Sequence, residues 1–347
     1  MMQPAKPASH RVFIERLVIA VGIAGLALLT WRLRDLLLLL FGAVLVAVIL
    51  SVMAKPLRQR LGLPGALALA LAVAMLLALF LSAFWLFGAE VAGQSATLQK
   101  AIPGAWQALL HRLEPLGLAE PLRQATAGGG GVLSRAGSIA RSIGSGVTDT
   151  LLVLIGGIYF AAQPDMYRKG VLKLVPKRGR ELAAEAIDDS GRALRLWLMG
   201  RLVSMAVVGL LTGLGLWLLG IPAALTLGLV AAIMEFIPLL GPLLAAIPAL
   251  LLAAAVGPEQ MLWVAGLYLL IQQIEGNVLE PLVQQRAVSL PPVLLVFALV
   301  SAALVFGIAG IILGAPLTVV LFVLIKRLYV REALDTETEI PGENDPN

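Results

Sequence analysis

The side chains that could do chemistry in this chain are a few ionisable residues inside long apolar segments. Glu235 opens the run Glu-Phe-Ile-Pro-Leu-Leu-Gly-Pro, which contains Pro238, Gly241 and Pro242. An ionisable residue costs about 2.5–3.5 kcal/mol to insert at the centre of a membrane helix, so its presence marks a functional candidate. Because proline and glycine interrupt a helix, the backbone groups freed beside Glu235 could also coordinate an ion. We therefore predict a proton or cation site at Glu235; alternatively, its carboxylate only satisfies the freed amides or pairs with an arginine such as Arg201.

A second polar cluster ends the next apolar segment, just before Pro281. Its members are Gln272, Gln273, Glu275, Asn277 and Glu280. Residues three apart share one face of a helix, so the spacing predicts the polar wall of a cavity; the alternative is an ordinary solvated helix end. Arg201 lies within the first turns of another apolar segment. We expect its long side chain to reach the lipid headgroups, and contact with a substrate is the second interpretation.

The residues that common catalytic sites require are missing from the sequence. The chain has no cysteine, and its two histidines, His10 and His111, both stand outside the apolar segments. It contains no HExxH metal motif, GxSxG elbow or phosphate-binding Walker loop. We therefore predict no enzymatic activity, no metal site and no cofactor. Nucleic acid is not an expected partner either, because the basic residues flank apolar segments, where they encode membrane orientation.

The elements that must hold the candidate residues are membrane-spanning helices. Hydrophobic residues make up 59% of the chain and charged residues 14%, against about 45–50% and about 25% in soluble domains. The apolar residues come in blocks, most of them long enough to cross a bilayer, which takes roughly 17–25 residues. The blocks cover residues 13–30, 36–53, 66–88, 151–162, 194–219, 221–256, 261–274 and 291–325. The sequence thus predicts an all-α polytopic membrane protein with about eight transmembrane helices.

Two of these blocks, 221–256 and 291–325, are too long for one straight crossing. At 1.5 Å per residue each would measure roughly 52 Å, against a hydrocarbon core of about 30 Å. In the first block a break is expected between Pro238 and Pro242. In the second block the expected breakers are Gly307, Gly310, Gly314 and Pro316. The sequence leaves open whether each block is a broken single crossing or a re-entrant hairpin.

Polar stretches divide the chain into four parts. Most Lys and Arg residues in the short flanks of the apolar blocks fall on one side, and only Arg32 and Arg34 oppose this pattern. The bias predicts that this side is the cytoplasm and that both termini lie there. The four parts are an N-terminal three-helix membrane region (1–88), an extracytoplasmic helical insertion (89–148), a C-terminal membrane core (149–328) with a cytoplasmic segment (164–195), and a disordered cytoplasmic tail (329–347).

Three motifs give the chain a specific likeness to a known family. They are Glu235 to Pro242, Gln272 to Pro281 and Phe306 to Gly310. Weaker matches support them at Lys55 to Arg58, Val175 to Arg178 and Gly220 to Pro222. From about residue 49 to residue 328 the chain resembles the autoinducer-2 exporter family of bacterial permeases. It departs from the family pattern at two positions, because Arg201 stands where glutamine is expected and Pro291 stands where histidine is usual.

The resemblance implies eight transmembrane helices in the bacterial cytoplasmic (inner) membrane, with both termini in the cytoplasm. It further implies a secondary transporter that exports a small solute, such as a quorum-sensing furanosyl signal, and that is coupled to an ion gradient. Similar proteins resemble sodium (or lithium)/proton antiporters, which is the alternative function. A hypothesis of another class is a membrane scaffold that does not transport. Expected partners are the lipid bilayer and a small-molecule or cation substrate, and the formation of a homo-oligomer is left open.

Overall fold

The computed structural model describes residues 28–82, 148–281 and 290–341, together with positions 17, 21, 22, 24, 25, 85 and 343. Within these residues the regular secondary structure is helical and contains no strand. Four helical stretches are long and apolar enough to cross a membrane, namely Arg34–Leu61, Gly65–Ser82, Lys177–Leu218 and Pro292–Arg331. The prediction of an all-α polytopic membrane protein is confirmed. Most of the predicted insertion (89–148) lies outside the described residues.

Three helices of the described N-terminal part pack together, and they are α1 (Arg34–Leu61), α2 (Gly65–Ser82) and α3 (Thr148–Ala162). A tight turn at Gly62 joins α1 to α2, and its φ of 65° lies in the left-handed region that glycine adopts without steric cost. α3 packs closely on α1, because Gly157 lies against Val46, where a larger residue would clash. Small residues at this contact let the helix backbones approach each other, as in other membrane bundles.

The longest helix runs through the middle of the molecule. After α4 (Pro164–Leu174) and a short 3-10 turn, α5 extends from Arg180 to Leu218 over 39 residues. At 1.5 Å per residue this is about 58 Å, roughly twice the hydrocarbon core. The charged first turns of α5 therefore project beyond the membrane. There Arg168 of α4 donates a hydrogen bond of 2.8 Å to Asp188 of α5.

The first of the two overlong blocks folds back on itself. α6 (Ala224–Met234) and α7 (Leu240–Val256) are separated by a break at residues 235–239. Ala224, at the start of α6, lies in one buried cluster with Ala253, near the end of α7. These two residues would stand about 43 Å apart in a straight helix, so the block is a hairpin. With 11 residues, α6 measures about 16 Å, which is too short to cross a hydrocarbon core of about 30 Å.

The helix after this hairpin returns along it. α8 (Pro258–Ile274) begins directly after Gly257 and continues into a π-helical turn, Glu275–Leu279. Val264 of α8 belongs to the same buried cluster as the two hairpin arms. The Tyr268 hydroxyl donates a hydrogen bond of 3.1 Å to the carbonyl oxygen of Ala245 in α7. α8 is therefore fixed to the hairpin along its length.

The second overlong block, α9, comprises Pro292–Leu324 and a closing π-helical turn, Ile325–Arg331. Gly307 interrupts it with φ 63° and ψ −138°, a conformation outside any regular helix. Beyond Gly307 the chain turns back, because a Cβ on Gly310 would overlap the carbonyl oxygen of Ala302 and a Cβ on Gly314 would lie 3.1 Å from Leu299. Leu299 and Gly314 would be about 22 Å apart in a straight helix. Both overlong blocks are thus re-entrant hairpins rather than broken single crossings.

The chain beyond α9 folds back onto the helices. Ile340 is 4% exposed and lies in a buried cluster with Ala193 of α5 and Val323 of α9. Arg331 donates hydrogen bonds of 2.6 and 2.9 Å to the two carboxylate oxygens of Glu343. The described part of the segment after α9 is therefore held by the burial of Ile340, by ion pairs of Glu343 with Arg327 and Arg331, and by hydrogen bonds from Lys326 and Arg331 to its backbone oxygens.

One end of the molecule gathers most of the flanking Lys and Arg residues. Arg327 of α9 forms an ion pair with Glu185 of α5 there. Lys55 of α1 and Arg195 of α5 line one cleft at the same end. We call this the basic end, defined by residues 55–60, 164–195 and 325–331. That the basic end faces the cytoplasm stays a prediction.

Candidate functional site

Arg201, Glu235 and Glu275 meet inside the helix bundle, and we call these three residues the charged cluster. Arg201 Nη2 lies 2.9 Å from Glu235 Oε1, and Arg201 Nη1 lies 3.7 Å from Glu275 Oε1. The side chains of Arg201, Glu235 and Glu275 are 12%, 0% and 8% exposed, respectively. Two carboxylates from different segments therefore flank one guanidinium in a place that water hardly reaches.

The tip of the first hairpin positions Glu235. The N–H of Glu235 donates to the carbonyl oxygen of Ala231 at 2.9 Å, so this residue still completes the last turn of α6. Pro238 has no N–H and cannot continue the helix. Gly241 then lies so close to Met234 that a Cβ would overlap the Met234 carbonyl oxygen. The tip is therefore tight, and it brings the Glu235 carboxylate to α5.

An aromatic contact fixes the tip of the hairpin against α5. Phe236 and Trp197 pack edge to face, with ring centroids 6.0 Å apart and an angle of 82° between the rings. Such pairs contribute about 0.5–1.5 kcal/mol beyond the area they bury. Trp197 lies one helical turn before Arg201 on the same face of α5. This contact was not predicted from the sequence, although the spacing of four residues between Trp197 and Arg201 indicates that they share a face of α5.

A π-helical turn presents Glu275 to the charged cluster. The turn begins at Glu275, where the helical hydrogen bonds widen to i→i+5. Gln272 Nε2 donates a hydrogen bond of 3.2 Å to Glu275 Oε2 and so orients the carboxylate. Single π-helical turns of this kind recur at functional sites in proteins.

The rest of the second polar cluster is exposed. Asn277 donates to Gln273 at 2.9 Å in an exposed contact, and Glu280 is exposed as well. Glu275 lies in the charged cluster, and Gln272 reaches the cluster through Glu275. A cavity wall that also includes Gln273, Asn277 and Glu280 stays a prediction. Arg201 lies against the two carboxylates and does not reach the lipid headgroups as expected. The pairing of Glu235 with Arg201 is the alternative interpretation of Glu235 from the sequence.

The two hairpins pack side by side on α5. Phe236, at the tip of the first hairpin, and Leu313, in the second, both pack against one buried cluster, which consists of Leu45 of α1 and Leu194 and Leu198 of α5. The predicted breakers shape these hairpins and supply no charged group. Pro238, Gly241 and Pro242 form the tip of the first, and Gly307, Gly310, Gly314 and Pro316 belong to the second.

Hydrogen bonding in the charged cluster is incomplete. Among the described residues, neither oxygen of Glu235 accepts a hydrogen bond, and Arg201 Nε and Nη2 donate none. The 2.9 Å distance between Arg201 and Glu235 is therefore a contact of charges in which no N–H points at the acceptor. A buried polar group without a partner costs about 1–3 kcal/mol. The cluster therefore has unused hydrogen-bond donors and acceptors that a polar ligand could engage.

The charged cluster also carries an uncompensated formal charge. With all three groups ionised, one guanidinium faces two carboxylates, and the net charge of the cluster is −1. An unpaired charge is costly in a low-dielectric interior, so a proton or a monovalent cation would be stabilised here. No group of three or more His, Asp or Glu side chains within the described residues could hold a metal ion. A cation at this site would be held by the two carboxylates.

Comparison with known proteins agrees with this architecture. A family model described as AI-2E family transporter matches residues 17–329. The chain belongs to the AI-2E transporter family. The resemblance stated from the motifs around Glu235 and Glu275 is confirmed. The family is one of transporters, and this member is a multi-pass membrane protein.

Relatives of this AI-2E family member bear transport names. YrrI of Bacillus subtilis, provisionally named a transport protein, is 32% identical over 166 residues, covering 48% of this chain and 47% of YrrI. MT0215 of Mycobacterium tuberculosis, named in the same way, is 32% identical over 184 residues, covering 52% and 49%. The AI-2 transport protein TqsA of Escherichia coli is 29% identical over 158 residues, covering 44% and 43%. The chain spans about half or less of the length of these three curated relatives.

Proposed function

We propose that this AI-2E family member is a secondary transporter of the bacterial cytoplasmic membrane, with both termini in the cytoplasm, and that the charged cluster is its solute and ion site. The observation that carries the proposal is the burial of Arg201 between Glu235 and Glu275 at the tip of a re-entrant hairpin. Ionisable groups inside a membrane bundle are costly and mark substrate or ion pathways. Interrupted helices at the binding site recur in secondary transporters.

The proposed solute is a small hydroxyl-bearing molecule that the protein exports. Carboxylate oxygens accept hydrogen bonds from hydroxyl groups, and a guanidinium donates them. The charged cluster offers both, since Glu235 has two oxygens and Arg201 two nitrogens without hydrogen bonds to described residues. TqsA is named an AI-2 transport protein, and this quorum-sensing signal is therefore the first solute to try. The excess negative charge favours coupling to a proton or sodium gradient.

Sodium/proton antiport is the second candidate function, and the same excess charge favours it. A proton and a sodium ion can each neutralise the cluster, and they would compete for the oxygens of Glu235 and Glu275. Alternating occupancy of one site by two cations is sufficient for exchange. In this function no organic solute is required, which separates it from export in an experiment.

Flux measurements in proteoliposomes test the proposal. The purified protein is reconstituted, a sodium or pH gradient is imposed, and the movement of labelled solute, radioactive sodium and protons is followed. We expect Glu235→Gln and Glu275→Gln each to slow flux on the order of tenfold, the effect of losing about 1.4 kcal/mol of transition-state stabilisation. Glu259→Gln is the matched control, because Glu259 is an exposed carboxylate at the start of α8.

The outcomes of the flux experiment are distinct. Gradient-driven movement of the solute supports export, and sodium-driven proton movement without solute supports antiport. Undiminished flux in both Glu235→Gln and Glu275→Gln would reject the charged cluster as the site. If the wild-type protein moves no solute or ion and retains a stable protein partner on pull-down, the scaffold hypothesis is favoured.

A further inference from the structure

A cleft of 1270 Å³ opens at the basic end, away from the charged cluster. It lies between the end of α1, the start of α2 and the end of α3, and one residue of α5 closes it. Its polar lining consists of Ser51, Lys55, Arg58, Gln59 and Arg195. None of the described lining residues is acidic. Three positive charges from two helices therefore face a shared space.

In the described part of the chain, the three cations of this cleft lack carboxylate partners, whereas several cations near them are paired. Arg168, Arg192, Arg327 and Arg331 each form an ion pair with a carboxylate at the basic end. Lys55, Arg58 and Arg195 have no ion-pair partner among the described residues. Like charges that share a space repel one another unless an anion lies between them. The positive charge of the cleft therefore favours an anionic ligand.

The rest of the cleft is apolar and leads into the bilayer. Leu69 and Val73 on α2, with Ile158 and Ala161 on α3, form its apolar wall. Val73 lies eight residues beyond Gly65, where α2 begins, which places this wall about 12 Å along α2. Typical small-molecule pockets measure about 300–1,000 Å³, so a bare inorganic anion would occupy little of this volume. A ligand that fits has an anionic head and an apolar chain.

We propose that this cleft binds an anionic phospholipid, with its phosphate among Lys55, Arg58 and Arg195 and an acyl chain along Leu69, Val73 and Ile158. Arginine pairs with phosphate through parallel N–H bonds, and basic pockets between membrane helices suit anionic headgroups. The lipid would join α1 to α5, because Lys55 and Arg58 lie on α1 and Arg195 on α5. Arg195 is six residues before Arg201, so lipid binding acts on the helix that carries the charged cluster.

Native mass spectrometry of the purified full chain tests the site. Phosphatidylglycerol and phosphatidylcholine with the same acyl chains are titrated, and the affinity for the first bound lipid is measured. In the triple variant Lys55→Gln/Arg58→Gln/Arg195→Gln we expect phosphatidylglycerol to bind on the order of 100-fold more weakly. The control triple variant is Arg60→Gln/Lys169→Gln/Lys173→Gln, which removes the same charge from exposed positions that do not line the cleft.

The control triple variant distinguishes lipid binding at a specific site from the general attraction of basic surfaces to anionic lipid. The expected result is an affinity near that of the wild type in the control variant and no preference for phosphatidylglycerol in the cleft variant. Equal losses in both triple variants, or equal binding of the two lipids by the wild type, would overturn the proposal. Glycerol 3-phosphate is added as a competitor. Displacement of the lipid at equal concentration would assign the cleft to a free phosphate solute and overturn the lipid assignment.

A single substitution keeps the test decisive if the triple variant does not fold. Arg195→Gln removes one charge from the cleft, and we expect about fivefold weaker binding of phosphatidylglycerol. Lys173→Gln is its matched control, since Lys173 is exposed on α4. The elution volume on size exclusion shows that each variant is folded. Unchanged affinity in a folded Arg195→Gln variant would overturn the proposal.

Discussion

Arg201 Nη2 lies 2.9 Å from Glu235 Oε1, yet the two atoms make no aligned hydrogen bond. The attraction between them is therefore that of two charges, and the low dielectric of the interior strengthens it. Glu235 is fully buried, so water cannot replace its partner if Arg201 is removed. This relationship determines how variants of either residue should behave.

Replacing Arg201 alone should destabilise the protein more than replacing Arg201 and Glu235 together. Arg201→Gln leaves two buried carboxylates without a counter-charge, and losing one partner of a buried pair costs about 3–5 kcal/mol. The double variant Arg201→Gln/Glu235→Gln leaves only Glu275 charged, so we expect it to recover part of the loss. Thermal unfolding of the wild type, both single variants and the double variant in detergent measures the coupling, which should be on the order of 1–3 kcal/mol.

Strictly additive losses in this cycle would contradict the pairing of Arg201 with Glu235. Arg60→Gln is the control for the loss of one positive charge, because Arg60 is exposed at the end of α1. A change in a solvated surface charge alters stability by less than about 0.5 kcal/mol. A similar unfolding temperature in Arg60→Gln and the wild type would show that the effect at Arg201 comes from burial.

The residues of the charged cluster could be selected from the sequence because ionisable groups stand out in apolar blocks. What the pattern could not decide is the direction of the chain after each break. Pro238 and Gly307 interrupt a helix in either topology. Whether the chain then continues or turns back depends on packing between residues far apart in the sequence, such as the buried cluster that includes Ala224 and Ala253. No local property encodes such a contact.

A local change in helix geometry divides the second polar cluster, although Gln272 and Glu275 keep the contact expected from their spacing. The expected shared face assumed 3.6 residues per turn for Gln272 and Glu275 and again for Asn277 and Glu280. A π-helical turn begins at Glu275 and changes the phase of the following residues. Glu275 therefore faces inward, whereas Asn277 and Glu280 are exposed. The side chains that follow Glu275 give no signal that marks a widened turn.

Alanine at Gly307 should destabilise the second hairpin. Gly307 has φ 63° and ψ −138°, a conformation that side-chain-bearing residues rarely adopt, and the strain costs on the order of 1–3 kcal/mol. Gly266→Ala is the matched control, since Gly266 lies inside α8 with open space at its Cβ position. There alanine should be neutral or stabilising by about 0.5–1 kcal/mol. Equal unfolding temperatures for the two variants would contradict the reversal at Gly307.

The hairpins place the junction of α7 and α8 on the side opposite the basic end. Because the chain has no cysteine, single cysteines report their side of the membrane without background. We expect a membrane-impermeant maleimide added to intact cells to label Glu259→Cys and not Arg60→Cys. A broken single crossing would place both residues on the cytoplasmic side. Protection of both cysteines in intact cells, with labelling of both after permeabilisation, would therefore argue against the hairpin.

Acid should release the segment after α9. The hydrogen bonds from Arg331 hold the pKa of Glu343 below its usual range. A carboxyl group whose pKa is lowered by folding contributes stability above its unfolded value of about 4.3 and loses it as the pH falls through the lowered value. Hydrogen exchange of residues 332–341 should thus show constant protection from about pH 7 to about pH 5, and loss of protection below about pH 4.

Two variants separate the ionic contact from the apolar contact in this segment. Glu343→Gln should exchange faster at neutral pH and show no step in acid, because its side chain does not titrate. Ile340→Ala removes a buried anchor beside Ala193 and Val323, so it should lower protection at every pH while retaining the acid step. If Glu343→Gln keeps the acid step, the titrating group is another carboxyl, and the ion pair of Arg327 with Glu185 is then the next to vary.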